Sequence, residues 1–440
     1  MGSKIIAEAI VENMQAKPLM CANDVIIKAK KDYGITINYH VAWRTIEAST
    51  SCIFGDEALS FSFLTLYFRE AGHCNPDSVF DVEVDDADNS FKRCFFSFGA
   101  SLSGFNLCHQ MLILDGTFLK GKYKGVLLSA IAKDARNSEF YIFSFSFSDS
   151  LFYYSVLTFV SDRQRGILEA VKDIFPHCHH YFCILHLENN LKNRLSGMPP
   201  NYRDMLERQF TACACAPTKQ IFHQNLEKLK SSGLKKVIDF LSELPFDNWT
   251  YAYSETRRYG ELYLNAVESW NSAMKKFRHL PITELVDSIR GWVTDKVCER
   301  ITESKVFKTM LCPEMEKVLN NIVDAGRTCN VRRSTGIVIQ VHSDMHVIVD
   351  LFNRTCTCRM WQITGFPCCH VAVVLFNTPE TERYTYIDPL FYASYFRSTY
   401  SFLIHPLLVD FEQVEQPIVR PPSCQTRKGQ TEKEENTILW

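Results

Sequence analysis

CTCRMWQITGFPCCH, residues 356–370, sets Cys356-x-Cys358 and Cys368-x-His370 nine residues apart. Thiolates and imidazoles are the ligands zinc prefers, and a structural site needs four of them converging on a tetrahedron. Two close pairs joined by a short turn have the reach to do that, so Cys356, Cys358, Cys368 and His370 are read as ligands of one Zn²⁺. The flanks agree. Gly336 to Val341 and Met345 to Leu351 alternate apolar and polar residues around a His342-Ser-Asp turn, the pattern of a hairpin that delivers the first pair from its end. Val371 to Phe376 is an apolar run that reads as the start of a helix. Close pairs also arise by chance in a chain with 17 Cys and 13 His, but paired spacing of this kind is more specific than that background.

The 440-residue chain is 46% hydrophobic and 22% charged, a globular composition long enough for two or three cores. No charged segment, apolar stretch and small-residue cleavage site follow one another near Met1, so reduced thiols are expected. Phe140 to Val160 is apolar enough to imitate a membrane span. Its FSFSFS alternation and Asp149 fit strands better, and no membrane partner is expected. Formal net charge is −2, which excludes the whole chain as an electrostatic sponge for nucleic acid and confines any DNA contact to local basic patches.

Along the chain, residues 1–50 read as short helices: Lys4 to Met14, Val25 to Lys31 behind an Asn23-Asp24 cap, and Val41 to Ala48 behind Asn38. Residues 51–109 read as a linker holding a hairpin, Val79 to Val84 and Phe91 to Phe98 around an acidic turn. From Gln110 the pattern becomes strands, MLILD, GVLLSAIAKDA, EFYIFSFSFSDS and SVLTFVSD, followed by helical periodicity from Gln164 to about Lys308. The zinc module occupies 330–380, and 381–440 reads as a polar tail.

Two of the strands end in aspartate, Asp115 and Asp162, while Glu268 opens a helical segment in NAVESWNS. Three carboxylates could hold Mg²⁺ for phosphodiester chemistry, because hard divalent cations take oxygen ligands. A chain with 50 acidic residues supplies such triads freely, and Asn265-x-x-Glu268 is also a capping box. Residues alone leave both readings open.

The segments DGTFLKGKYKGVLLSAIAKDA, SDRQRGILEAVKDIFP, CILHLENNLK, RRYGELYLNAVESWNS and CTCRMWQITGFPCCH, in this order, resemble plant Mutator-like (MuDR-type) transposases. The resemblance covers most of the chain. It implies an α+β fold: a ribonuclease-H-like mixed sheet at 110–300 with a helical insertion at about 187–262, followed by a small zinc-binding SWIM module. It places Asp115, Asp162 and Glu268 on the catalytic acids, with Mg²⁺ or Mn²⁺ as their cofactor. It places Cys183 and His186 on a C-x-x-H motif. The implied partner is DNA at transposon ends, the implied location the nucleus, and a homo-oligomer is left open. Far-red-response transcription regulators share the layout, so a non-catalytic DNA-binding or protein-interaction factor is the alternative.

Two departures from the family pattern bear on activity. Only about SDSLFYYS stands where the family has a helix crossing the sheet, and a parallel crossover needs a dozen or more residues. The strand bearing Asp162 is therefore expected to sit poorly beside the one bearing Asp115, making this a degenerate or truncated member. Residues 1–50 also offer only Cys21 and His40, too few for a further finger. Of the PHCHHYFCILH cluster, with His177, Cys178, His179 and His180, only Cys183 and His186 belong to a family motif. Cys213 and Cys215 are expected to pack as small helical residues.

Overall fold

A computed structural model describes residues 22–142, 157–262, 265–333, 337–343, 346–376, 379–409 and 419–422. The Lys4–Met14 expectation and most of the crossover segment lie outside them. Among the described residues three sheets are present: a hairpin, a five-stranded mixed sheet and a four-stranded antiparallel sheet.

The hairpin pairs β1 (Val79–Val84) with β2 (Phe91–Ser97), as the alternation around the acidic turn predicts. Before it runs the helix Glu57–Cys74, started by Asp56, whose carboxylate accepts the Ala58 N–H at 2.9 Å. Its Phe61, Leu64, Tyr67, Phe68 and Ala71 recur at helical spacing and are buried. Leu64, Tyr67, Phe68 and Ala71 pack with Leu285, Val286, Ile289, Val293 and Val297 of the helix Ile282–Ser304 in the principal core. Residues 51–109 are therefore core-forming, against the linker expectation: the apolar face of this helix has to be covered.

The five-stranded sheet runs in the order β5 (Glu139–Ile142), β4 (Val126–Lys133), β3 (Met111–Phe118), β6 (Thr158–Ser161), β7 (His179–Phe182). β3, β4 and β5 are joined antiparallel; β6 and β7 add in parallel. The shortened segment does not displace β6, which pairs with β3 from Met111↔Thr158 to Leu114↔Ser161. Leu112, Ile113, Phe159 and Val160 are buried on both faces of this pair, and that burial fixes the register. The sequence pattern misses β7 inside a stretch read as helical, because His179 and His180 hide a short strand whose Tyr181 and Phe182 are buried.

Helices Ile184–Arg194, Pro200–Ala214, Lys219–Lys230 and Lys235–Ser242 build a second core around Leu187, Leu191, Phe210, Phe222, Phe240 and Trp249, with Phe210 stacked on Trp249 at 4.7 Å. Cys213 is buried there, as a small packing residue. The four-stranded sheet, β8 (Asn330–Arg333), β9 (Val338–His342), β10 (His346–Asp350) and β11 (Thr355–Cys356), forms a third core with Trp361 and Val371. The chain beyond 380 is not simply a polar tail. Ile387, Phe391, Phe396, Tyr400 and Ile404 are buried in the principal core, and the Tyr400 hydroxyl donates to Asp134 at 2.8 Å.

Candidate metal centres

The antiparallel sheet sets the first centre. β10 pairs with β11 through Val349↔Cys356, so the hairpin delivers Cys356 directly and Cys358 two residues later. The short helix Met360–Thr364 ends at Gly365, whose φ of +72° is accessible to a residue without a Cβ, and the turn returns Cys368 to the start of the helix Cys369–Leu375. Cys356, Cys358 and Cys368 are buried, and the four ligand atoms including that of His370 lie within 4.8 Å of one another. Cys358 Sγ is 3.5 Å from Cys368 Sγ, and His370 Nδ1 is 3.8 Å from Cys368 Sγ and 3.9 Å from Cys356 Sγ. Bonds of about 2.3 Å to sulfur and about 2.1 Å to nitrogen put tetrahedral neighbours roughly 3.6–3.8 Å apart, so the donor set fits zinc in kind and in spacing.

Surrounding groups fix that geometry. Gln362 clamps the Cys356 backbone, accepting its N–H at 3.2 Å and donating to its carbonyl at 3.0 Å. His370 Nε2 lies 3.1 Å from Ser343 Oγ, which leaves Nδ1 as the ligand atom. Hydrogen bonding to Cys356 and then Cys358 raises the His370 imidazole above its usual range. Bonds from Cys356 and Cys368 hold the Cys358 thiol well below the ordinary thiol range.

The second centre follows from the parallel register. Pairing of β3 with β6 stops at Leu114↔Ser161, and the next residues on the two strands are Asp115 and Asp162. β3 itself continues to Phe118 against β4, so Asp115 lies within a strand rather than at its end. β7 stops at Phe182 opposite Ser161; the buried Cys183 then donates its N–H to Ser161 O at 2.8 Å, and His186 falls in the first turn of the following helix. Asp115, Asp162 and His186 present ligand atoms within 4.8 Å of one another, near the roughly 4.2 Å that spans an octahedral divalent ion. Asp115 is 7% exposed. Burial raises its carboxyl above the usual range, against the bond from Asn271 Nδ2, which donates to Oδ2 at 2.7 Å. Asp162 accepts the Gln164 N–H at 3.1 Å.

Glu268 is outside this group. It is exposed on the helix Asn265–Met274, one turn before Asn271. Cys183 is buried in the principal core and is not among the ligands. His177, Cys178, His179 and His180 join no metal-type cluster among the described residues. Sequence reasoning named His186 only through the resemblance and missed Asn271, though a polar side chain one helical turn after Glu268 was the available signal.

Residues 341–378 match the SWIM zinc finger family, and the Cys₃His cluster lies inside the match. The chain thus carries a SWIM zinc finger in an α+β protein with mixed sheets. No curated protein matches the chain. No helix among the described residues is long and apolar enough to cross a membrane.

Proposed function

We propose that this chain is a Mutator-like transposase relative that binds DNA through a ribonuclease-H-like body and a SWIM finger, with its strand-cutting centre degenerate. The observation that carries the reading is the parallel register of β3 and β6, which sets Asp115 beside Asp162. The strand order, three antiparallel strands followed by two parallel ones, supports the ribonuclease-H-like assignment. The finger supports a role in contacting DNA or protein.

A basic loop at the end of the strand that carries Asp115 supports the DNA reading. The β3–β4 turn exposes Lys120, Lys122 and Lys124, and its backbone is anchored by Lys120 N–H to Arg278 O at 2.7 Å and Lys122 N–H to Glu57 Oε2 at 3.1 Å. Arg278 also donates to Thr117 Oγ1 at 2.8 Å, two residues beyond Asp115. Phosphate oxygens are natural partners for such a cluster. Asp115 and Asp162 are the residues that would hold a divalent cation, which when bound supplies charge stabilisation at a phosphodiester. Glu268 is exposed and not grouped with them, which supports weak or absent strand cutting and leaves nuclear DNA binding as the reading.

The deciding assay incubates zinc-loaded chain with duplexes from the flanks of its own gene and Mg²⁺ or Mn²⁺, beside Asp115→Ala. The expected result is retarded DNA with cutting near background in both proteins. Robust cutting that vanishes in the variant would overturn the degenerate reading and leave an active transposase. Failure to retard DNA even at low salt would leave the alternative, a protein-interaction factor.

A further inference from the structure

We infer that the seam between the finger and the second core is a site for one unpaired nucleotide, whose phosphate is taken by Arg257 and Arg354. The cavity in this seam has a volume of about 400 Å³, the size of pockets that enclose small ligands. Stretches far apart in sequence wall it: the loop 254–257 beside the second core, finger residues between 353 and 365, and Tyr386 and Asp388 beyond the finger. These walls are tied to one another. The Arg258 and Tyr259 N–H groups both donate to Ile363 O, at 3.0 and 3.1 Å, and the Asp388 N–H donates to Gly365 O at 3.3 Å. Trp361 Nε1 donates to Tyr386 O at 3.2 Å, and Arg257 is ion-paired with Asp388. A cavity held in this way costs a ligand little ordering.

The lining selects the ligand. A guanidinium is a rigid fork that matches phosphate oxygens and carries more N–H groups than one or two bonds use. Arg257 engages Asp388 and Tyr259, and the exposed Arg354 donates to Thr385 O at 2.9 Å, so both keep donors for an anion. Arg359 spends its donors on carbonyls of the second core and adds charge to the wall. Both Arg354 and Arg359 take left-handed backbone, φ +52° and +64°, so the fold sets them here against local preference. Three arginines against the carboxylates of Glu255 and Asp388 leave the lining net positive. A nucleotide uses the remaining groups as well. Tyr386, half-buried against Trp361, offers ring surface to a base, and the exposed Glu255 can accept from an exocyclic amino group. An acidic peptide would be repelled by the same carboxylates. A base inside a duplex is paired and stacked, so only an unpaired one can enter. A free nucleotide and an unpaired residue of a strand share this chemistry; the strand source rests on the DNA reading above.

The test uses the full zinc-loaded chain. Calorimetry compares a deoxynucleoside monophosphate with inorganic phosphate, and anisotropy compares a fully paired duplex with the same duplex carrying one unpaired nucleotide. The monophosphate is expected to bind at least about tenfold more tightly than phosphate, and the unpaired nucleotide to raise duplex affinity about tenfold, the effect of one stacked base. Arg354→Gln should remove most of both gains with zinc content and melting temperature kept, which separates loss of the site from loss of fold. Arg354→Lys, with the charge but not the fork, should restore only part. A monophosphate bound no more tightly than phosphate overturns the site, as do gains that survive in Arg354→Gln or an acidic peptide that displaces the nucleotide at equal concentration. A monophosphate gain without a duplex gain supports the site and makes its ligand a free nucleotide. Monophosphate held by a chain that fails to retard DNA would sink the functional reading and leave this inference standing; retarded DNA with neither gain would do the reverse.

Discussion

His109 stacks on Tyr259 with ring centroids 4.1 Å apart, is fully buried, and leaves both ring nitrogens without a hydrogen-bond partner. Burial, and then the Lys133 charge, lower its pKa to about 3. The unfolded chain therefore binds one more proton than the folded one between about pH 6.5 and 3, so this residue's contribution to stability is present above pH 6.5 and lost as pH falls. His109→Phe keeps the aromatic stack and removes both the orphan nitrogens and the titration. The variant should be more stable than the parent at pH 7.5, and its advantage should grow by about 2 kcal/mol by pH 5; denaturant melts at the two pH values measure it, and a pH-independent difference would refute the account. Cys358 tests the other kind of residue. Purified protein should hold about one zinc, since metal and fold are coupled in such modules by on the order of 10 kcal/mol. Cys358→Ala should lose that zinc and expose 330–380 to protease; full zinc content with unchanged protection would count against the site.

Between elements, Arg359 joins the finger to the second core, beside the buried Ile363. Arg359 follows Cys358 with a left-handed φ of +64°, and its guanidinium donates to Pro217 O at 3.2 Å, Ala252 O at 2.5 Å and Ser254 O at 2.9 Å. The guanidinium donates from two separate nitrogens held in a fixed plane, a spread that the three donors of an ammonium, radiating from one point, do not reproduce. Arg359→Lys should therefore lower thermal stability by about 1–3 kcal/mol while zinc content stays at one; zinc loss in step with stability would mean the contact serves the metal site instead. Elements were legible where one periodicity ruled. The finger hairpin and β3, β4 and β6 show in their alternation and apolar runs, and the zinc ligands show in their spacing. β7 was not legible, because two of its four residues are histidines that look like ligands. The placement of Asp115 within a strand was not legible either, since MLILD reads as complete and only pairing with β4 extends it to Phe118. The burial of Phe391, Phe396 and Tyr400 depends on partners far away in sequence, which no local pattern reports.

At the scale of the whole molecule, a net charge of −2 means that DNA is held by a few local contacts and no general attraction. Lys120, Lys122, Lys124 and Lys275 are exposed, the first three on the anchored β3–β4 turn and Lys275 one helical turn after Asn271. Four phosphate contacts give a log–log salt slope of about −3.6, so affinity should fall about a hundredfold between 50 and 200 mM salt. Because each neutralised phosphate contributes about 0.9 to the slope, Lys120→Ala, Lys122→Ala and Lys124→Ala combined should flatten it by roughly 2–3 while weakening all sequences alike. The finger, some distance along the chain, should be unaffected, and zinc content in the triple variant checks that. Fluorescence anisotropy of a labelled duplex across a salt series makes the measurement. Tight binding that persists at high salt, or a slope that the triple substitution leaves unchanged, would move the DNA interface away from this loop.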